Sequence, residues 1–354
     1  MTTMNKDQID QAEAQGIITA KQAAAMRKLV ERDGAVTPPS ANAAVIGDED
    51  NMRFVRGFSD VFIAIGIGLL ALGLWGLAGL FGGGTTYLLA AGAMALMAAY
   101  FGRKTRQHLP TLITALAFLL FTHKGLGGMV GESSPVTASM ITIVAMLAYY
   151  YFIRLPFCIA LIAISMIVLV FTLAEQMVPD VLAGNRSWFF VACGFITLGA
   201  AIFYDMKDTQ RLTRFADNAF WLHLTAAPLI VHGLAFRAAV AKSDTLFDLV
   251  PVIEVTRGDA AGLLIIVLLI GVLGLALNRR ALLVSSLGYA GFAIVFLFSG
   301  AGVNFGMSLI LALLLLGAAV VFLGAGWHSA RNTLIKVLPK WTIFPPKYEP
   351  QTKV

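Results

Sequence analysis

Residues 58–80 read FSDVFIAIGIGLLALGLWGLAGL, and Asp60 is the only charged residue among them. A run of this length matches the roughly 20 residues that cross about 30 Å of hydrocarbon at about 1.5 Å per helical residue. Where no water reaches the backbone, every peptide group must pair internally, so so long a run is a helix. Nine further apolar runs obey the same rule, at 85–102, 110–129, 135–153, 156–177, 187–204, 217–236, 260–277, 281–299 and 304–326. Composition agrees. Of 354 residues, 58% are hydrophobic and 13% charged, about half the charged share of a soluble domain, and the mean hydropathy is +0.80. The expected fold class is all-α, a polytopic membrane helical bundle of about ten transmembrane helices, with the lipid bilayer as its obligatory partner.

Punctuation supports these boundaries. Pro110, Pro135 and Pro156 stand at helix starts, where a missing amide hydrogen costs nothing. Ser59, Ser187, Asp217, Asp259 and Asn304 are candidate N-caps. Residues 1–34 read as a cytosolic helical hairpin, with capping-box spacing at Asn5/Gln8 and Thr19/Gln22, a break at Gly16 and an end at Asp33-Gly34. Residues 35–57 read as a flexible linker, 58–326 as the transmembrane domain, and 327–354 as an interfacial amphipathic helix with a cytosolic tail. In that last segment Trp327, Leu334, Ile335 and Leu338 share a face, with Arg331, Asn332 and Lys336 elsewhere. The polar start excludes a cleavable signal peptide, so the first span serves as an uncleaved anchor.

The formal charge of +6 is topological and does not call for a nucleic acid partner. With the N-terminus inside, the short inner loops carry Arg103, Lys104, Arg106, Arg154, Lys207, Arg211, Arg214, Arg279 and Arg280, while the longer outer loops carry only Lys124, Arg186, Arg237, Lys242 and Arg257. That bias predicts both ends in the cytoplasm. Tyr100-Phe101, a basic loop, a span and His123-Lys124-Gly125-Leu126 also parallel Phe203-Tyr204, a basic loop, a span and His232-Gly233-Leu234. Two readings stand: spans two to five are repeated in tandem as spans six to nine, or any two apolar hairpins look this much alike.

Three stretches carry a resemblance to a known family: Gly16-Ile17-Ile18-Thr19 with Gln22, Tyr100-Phe101-Gly102-Arg103-Lys104 through Leu109-Pro110, and Gly326-Trp327-His328 through Leu338-Pro339. In these the chain resembles a family of multi-pass bacterial membrane proteins of unknown function, with an N-terminal helical hairpin. The resemblance implies a bacterial inner membrane. It supplies no reaction, ligand or functional residue.

The candidate chemistry lies in polar groups placed where lipid makes them costly. His223 falls about two turns into its span, with Pro228 and His232 after it; nine residues, or about 900°, put the two rings on opposite faces. His123, Lys124, Glu132, Glu175 and His232 fall near one outer depth. The candidate polar or transport site is therefore His223, His232, Glu175 and His123, weighed against an interhelical hydrogen bond for His223 and headgroup snorkelling for the others. Their spacing matches no metal-ligand motif, and no metal or cofactor is expected. The Gly125–Gly131 run lacks the Lys-Ser/Thr ending of a phosphate cradle and reads as a loop, and no hydrolase motif occurs, so no enzyme is expected. Cys158 and Cys193 read as packing residues. Glycines 66, 68, 73, 76 and 79 and alanines 91, 95 and 99 read as helix-packing faces. Functionally, a small-solute transporter leads. A scaffold or accessory subunit, binding a protein partner through residues 1–34, is the alternative. A lipid-modifying enzyme using the 237–259 loop stands third.

Overall fold

The computed structural model describes residues 9, 11, 13–15, 19–24, 58–130, 134–208, 211, 213–238, 240–246, 250–254 and 257–337. In the N-terminal unit, Ile9 and Ala23 are buried. Thr19 and Gln22 form the expected reciprocal cap: Thr19 N donates to Gln22 Oε1 at 2.9 Å, and Gln22 N to Thr19 Oγ1 at 3.4 Å. The Asn5/Gln8 pair, Gly16 and the Asp33-Gly34 stop lie outside the described residues.

Ten long helices follow among the described residues: α1 (Phe58–Phe81), α2 (Gly84–Ala98), α3 (His108–Val130), α4 (Pro135–Ile153), α5 (Phe157–Met177), α6 (Pro179–Lys207), α7 (Arg214–Ala238), α8 (Arg257–Leu277), α9 (Arg280–Gly300) and α10 (Phe305–Val337). They coincide with the ten apolar runs. Nine are long and apolar enough to cross a membrane, α2 counted with the π-helical turn Ala99–Lys104 that continues it. α7 is not among those nine, although its run 219–236 carries no Asp, Glu, Lys or Arg. Large apolar side chains coat the outside: Leu69, Leu72 and Leu80 of α1, Val144 and Phe152 of α4, and Leu313, Val321 and Phe322 of α10 are 62–86% exposed. A water-soluble surface does not tolerate that. The chain is a multi-pass membrane protein.

Several local expectations are corrected. Between α7 and α8, in the stretch read from sequence as a loop, β1 (Val240–Leu246) and β2 (Val250–Glu254) pair antiparallel. Residues 327–337 are not a separate amphipathic helix; α10 runs unbroken from Phe305 to Val337. Trp327, expected on the apolar face of an interfacial helix, is buried in the bundle instead, and so is Arg331, at 0% exposure. The Gly125–Gly131 run is helical through Val130, since glycine lowers helix stability without forbidding it. Of the predicted caps, Asn304 serves, its Oδ1 accepting from Met307 N at 2.9 Å. Asp217 and Asp259 lie inside their helices, and α6 breaks at Asn185 (φ −128°, ψ 18°) ahead of Ser187.

Glycine packing occurs, but not where the first helix suggested. A Cβ on Gly66, Gly68, Gly73 or Gly76 would meet nothing within 4 Å. On Gly84 it would stand 2.1 Å from Gly125 O, and on Gly125, 2.9 Å from Gly84 O. The α6–α7 pair crosses in the same way: a Cβ on Gly233 would lie 2.8 Å from Ser187 O and 2.9 Å from Val191 N. At these two crossings backbone meets backbone, as small residues allow. Cys158 and Cys193 are free and buried, as expected of packing residues.

α7 lies at the centre of the second half, touching α5, α6, α8 and α9. No residue from Ala216 to Leu234 is exposed. Its inner faces join an apolar core with Leu198, Leu263, Ile270, Leu282 and Ala293. At the two ends of the series, the spanning windows of α1 and α10 are only 17% and 6% buried.

Candidate functional site: a buried Asp–His–Arg cluster

Three elements of the second half converge at their Lys/Arg-rich end. Asp205 sits in the last turn of α6, His223 on α7, and Arg279 between α8 and α9. His223 Nε2 lies 2.8 Å from Asp205 Oδ2. Arg279 Nε donates to Asp205 Oδ1 and Oδ2 at 3.1 and 3.2 Å, and its Nη2 donates to Oδ1 as well. Arg279 Nη2 also reaches Ala216 O at 3.4 Å. His223 and Arg279 are 0% and 1% exposed, and the Asp205 side chain is 16% exposed. An ionised carboxylate only accepts, so Nε2 carries the proton it shares with Asp205 and Nδ1 takes any second one.

The local chain places these groups. Leu277 and Asn278 end the α8 turn; Asn278 takes φ 55°, and Arg279 N then donates to Gly274 O at 2.8 Å. Asparagine tolerates that left-handed backbone better than most residues. Arg211 Nη2 clamps Leu277 O at 3.0 Å. Asp208 Oδ2 accepts from Thr213 N and Oγ1 at 2.7 and 2.6 Å, and Thr213 Oγ1 accepts from Phe215 N at 3.3 Å, so Thr213 caps α7 where Asp217 was expected to. The residues flanking Arg279 hold α10: Asn278 Oδ1 accepts from Trp327 Nε1 at 2.7 Å, and the Arg280 guanidinium sits 5.3 Å from the Trp327 ring centre.

Burying a matched ion pair contributes little net stability, because desolvation offsets attraction; removing one partner costs about 3–5 kcal/mol. The cluster therefore fixes geometry more than it stabilises. It pins the end of α6 and His223 of α7 to the α8–α9 turn through one shared carboxylate.

The four sequence candidates have separate neighbours. His223 belongs to this cluster, at the arginine-rich end of the span. His232 Nδ1 lies 3.2 Å from Tyr289 OH, its ring edge-on to Phe190 at 5.3 Å. His123 Nδ1 lies 3.4 Å from Thr142 Oγ1. Glu175 is exposed near the end of α5, and Glu132 lies outside the described residues. Among the described residues no group of three His, Cys, Asp or Glu could hold a metal. Sequence reasoning missed Asp205 and Arg279. Arg279 was counted as a loop charge beside Arg280, and position relative to a span does not say which of two adjacent arginines turns inward. One signal was available for Asp205, an acid at the end of a long apolar run where the parallel stretch has Gly102.

No family description, curated protein or solved structure matches the chain.

Proposed function

We propose that the chain is a ten-span bacterial inner-membrane transporter of a small solute, with both ends in the cytoplasm and the Asp205–His223–Arg279 cluster as its inner gate. The observation that carries this reading is the cluster itself: three ionisable side chains held together inside a membrane bundle, at the junction of three elements. Buried charge is costly in such a place and marks ion or solute pathways more often than framework.

Tandem duplication of α2–α5 as α6–α9 is part of the proposal, and matching details support it. The loops after α2 and α6 carry left-handed arginines, Arg106 and Arg211, both at φ 54°; the α4–α5 and α8–α9 turns carry Arg154 at 56° and Asn278 at 55°. Gly84 and Leu88 meet Gly125 as Ser187 and Val191 meet Gly233. Lys104 Nζ lies over the Tyr100 ring at 5.3 Å, and Lys207 Nζ over Phe203 at 4.3 Å. Gly84, Leu88, Tyr100 and Lys104 precede Ser187, Val191, Phe203 and Lys207 by the same interval. Two such units face the membrane in the same orientation, like the parallel halves of some transporters.

Reconstituted vesicles challenged with a panel of small acids, amines, amino acids and sugars test the reading by solid-supported membrane electrophysiology or swelling. At least one solute is expected to cross, with flux reduced at least tenfold by Arg279→Gln. Silence across the panel, with the protein folded, would count against transport. A scaffold role is the second reading, favoured by the lateral faces of α1 and α10, which the rest of the chain leaves largely uncovered.

A further inference from the structure

We infer that His223 is a proton-binding site whose protonation releases the α8–α9 turn, making protons the coupling ion of the proposed transporter. The chemistry follows from the cluster; its use in transport rests on the transport reading above.

Aligning the two halves shows what the charges are not for. Tyr100-Phe101-Gly102-Arg103-Lys104 matches Phe203-Tyr204-Asp205-Met206-Lys207, so Gly102 stands where Asp205 does. Arg154 matches Asn278 at the left-handed turn position, so Leu155 stands where Arg279 does. Contacts bear the matching out. A Cβ on Gly102 would meet Thr111 of α3 at 3.0 Å and Ile153 at the end of α4 at 3.1 Å; Asp205 meets α7 and the turn after α8, the corresponding elements. Leu155 is buried at 8% exposure, as Arg279 is at 1%. The first half thus builds the same pair of turns from a glycine and a leucine. A charged cluster at the equivalent junction is dispensable for architecture.

One carboxylate, Asp205, is bonded to both His223 and Arg279 in the second half. With His223 neutral, Asp205 and Arg279 balance. As pH falls and Nδ1 gains a proton, the cluster carries a net positive charge in a site with almost no water. The other groups in reach give little relief. Asp217 on α7 lies in the field of three cationic groups, Arg279, Arg214 and His108 of α3, and is opposed by the Asp208 carboxylate, so its negative charge is already shared among cations. Asp208 is engaged with Thr213. From α5, Phe157 packs against α7, 4.5 Å from the Trp221 ring. Arg280 of α9 is turned onto Trp327. The group best able to leave is Arg279, because it sits on a turn and the protonated His223 ring sits mid-helix. Its departure frees the α8–α9 turn from α6 and α7. Asp205, the most exposed of the three, is the route by which the proton arrives.

The structure contains its own reporter. Trp327 is hydrogen-bonded to Asn278 and stacked on Arg280, the two neighbours of Arg279. The test uses the full chain with Trp75, Trp188, Trp221 and Trp341 changed to Phe, so that Trp327 alone emits. Its emission is expected to change along a one-proton curve as pH is lowered, and the curve to vanish in His223→Gln. A flat response, or one that survives His223→Gln unchanged, would overturn the inference. Because Trp221→Phe alters a packed ring, nitrogen-15 histidine spectra of the otherwise unchanged chain supply a second measurement: one buried imidazole must titrate, and must be the one lost with His223. Solute flux in the same vesicles separates the two claims. Titration without flux keeps the proton site and removes transport; flux without titration does the reverse.

Discussion

Exchanging the cluster for its counterpart in the first half gives a quantitative test. Asp205→Gly alone removes the carboxylate from a guanidinium that is 1% exposed, and the cost is expected near the 3–5 kcal/mol typical of an orphaned buried charge, about 4. Arg279→Leu alone leaves a carboxylate whose side chain is 16% exposed and still bonded to His223. Partial hydration holds that loss to about 2–3 kcal/mol. The pair Asp205→Gly with Arg279→Leu installs the Gly102 and Leu155 residue types and leaves neither member of the ion pair orphaned, although His223 Nε2 loses its acceptor. It is expected within about 1–3 kcal/mol of wild type, the remainder reflecting that lost bond and imperfect filling of the vacated space. The interaction term of the cycle is then at least about 3 kcal/mol. Unfolding by SDS in mixed micelles, followed by far-UV circular dichroism, measures all four proteins. Simple additivity, with the double variant losing the sum of the singles, would refute both the ion-pair energetics and the matching of the two halves.

Other perturbations reach other parts of the argument. Gly84→Ala and Gly233→Ala each force a methyl into backbone, at 2.1 and 2.8 Å, and are expected to destabilise by about 1–3 kcal/mol or more; Gly73→Ala, facing open space, should stay within about 0.5 kcal/mol in the same assay. Trp327→Phe keeps an aromatic ring but loses the bond to Asn278, costing about 0.5–1.5 kcal/mol and speeding proteolysis at the end of α10. Thr19→Ala removes a cap from the N-terminal unit and should lower its helicity at a cost of about 0.5–2 kcal/mol, leaving the thermal transition of the membrane helices unmoved.

Helix existence was legible because lipid imposes one rule on every span: sustained apolarity over a fixed length. Ten runs became ten helices, their ends displaced by a few residues wherever a cap was guessed from residue type alone. Asp217 looks like an N-cap, yet Thr213 with Asp208 does that work one turn earlier, and two residues five apart leave no local pattern. Packing was less legible. The five glycines of α1 form the more conspicuous stripe, but four of them face open space, whereas single glycines at 84, 125 and 233 set the close crossings. Sequence reports which residues allow approach, not which helices approach. The site was half legible for the same reason. His223 stood out as a polar residue inside an apolar run; its partners sit at helix ends, where charge is ordinary, and only tertiary contact separates Arg279 from Arg280.

The least apolar of the ten helices is the one on which topology turns. Nine helices qualify as spans by length and composition, and α7, with Asp217 near its start and Arg237 near its end, has no residue from Ala216 to Leu234 exposed. Hydropathy measures fitness for lipid, and a helix enclosed by four others meets little lipid. Asn218, His223 and Asp217 are therefore tolerable within it, with protein groups standing in for water. Counting α7 as a span makes the number even and places the loops around Arg103, Arg154, Arg211 and Arg279 on one side, in accord with the lysine and arginine bias. Leaving it out would carry Arg279 and the basic end of α10 to the opposite face, while Arg211, bonded to Leu277 O at 3.0 Å, would have to stay behind. That bond, with the Asp205–Arg279 pair, ties the α6–α7 loop and the α8–α9 turn to one side of the membrane. Reporter fusions at residues 209 and 279 must then give the same cytoplasmic signal; opposite signals would break the topology and the cluster together.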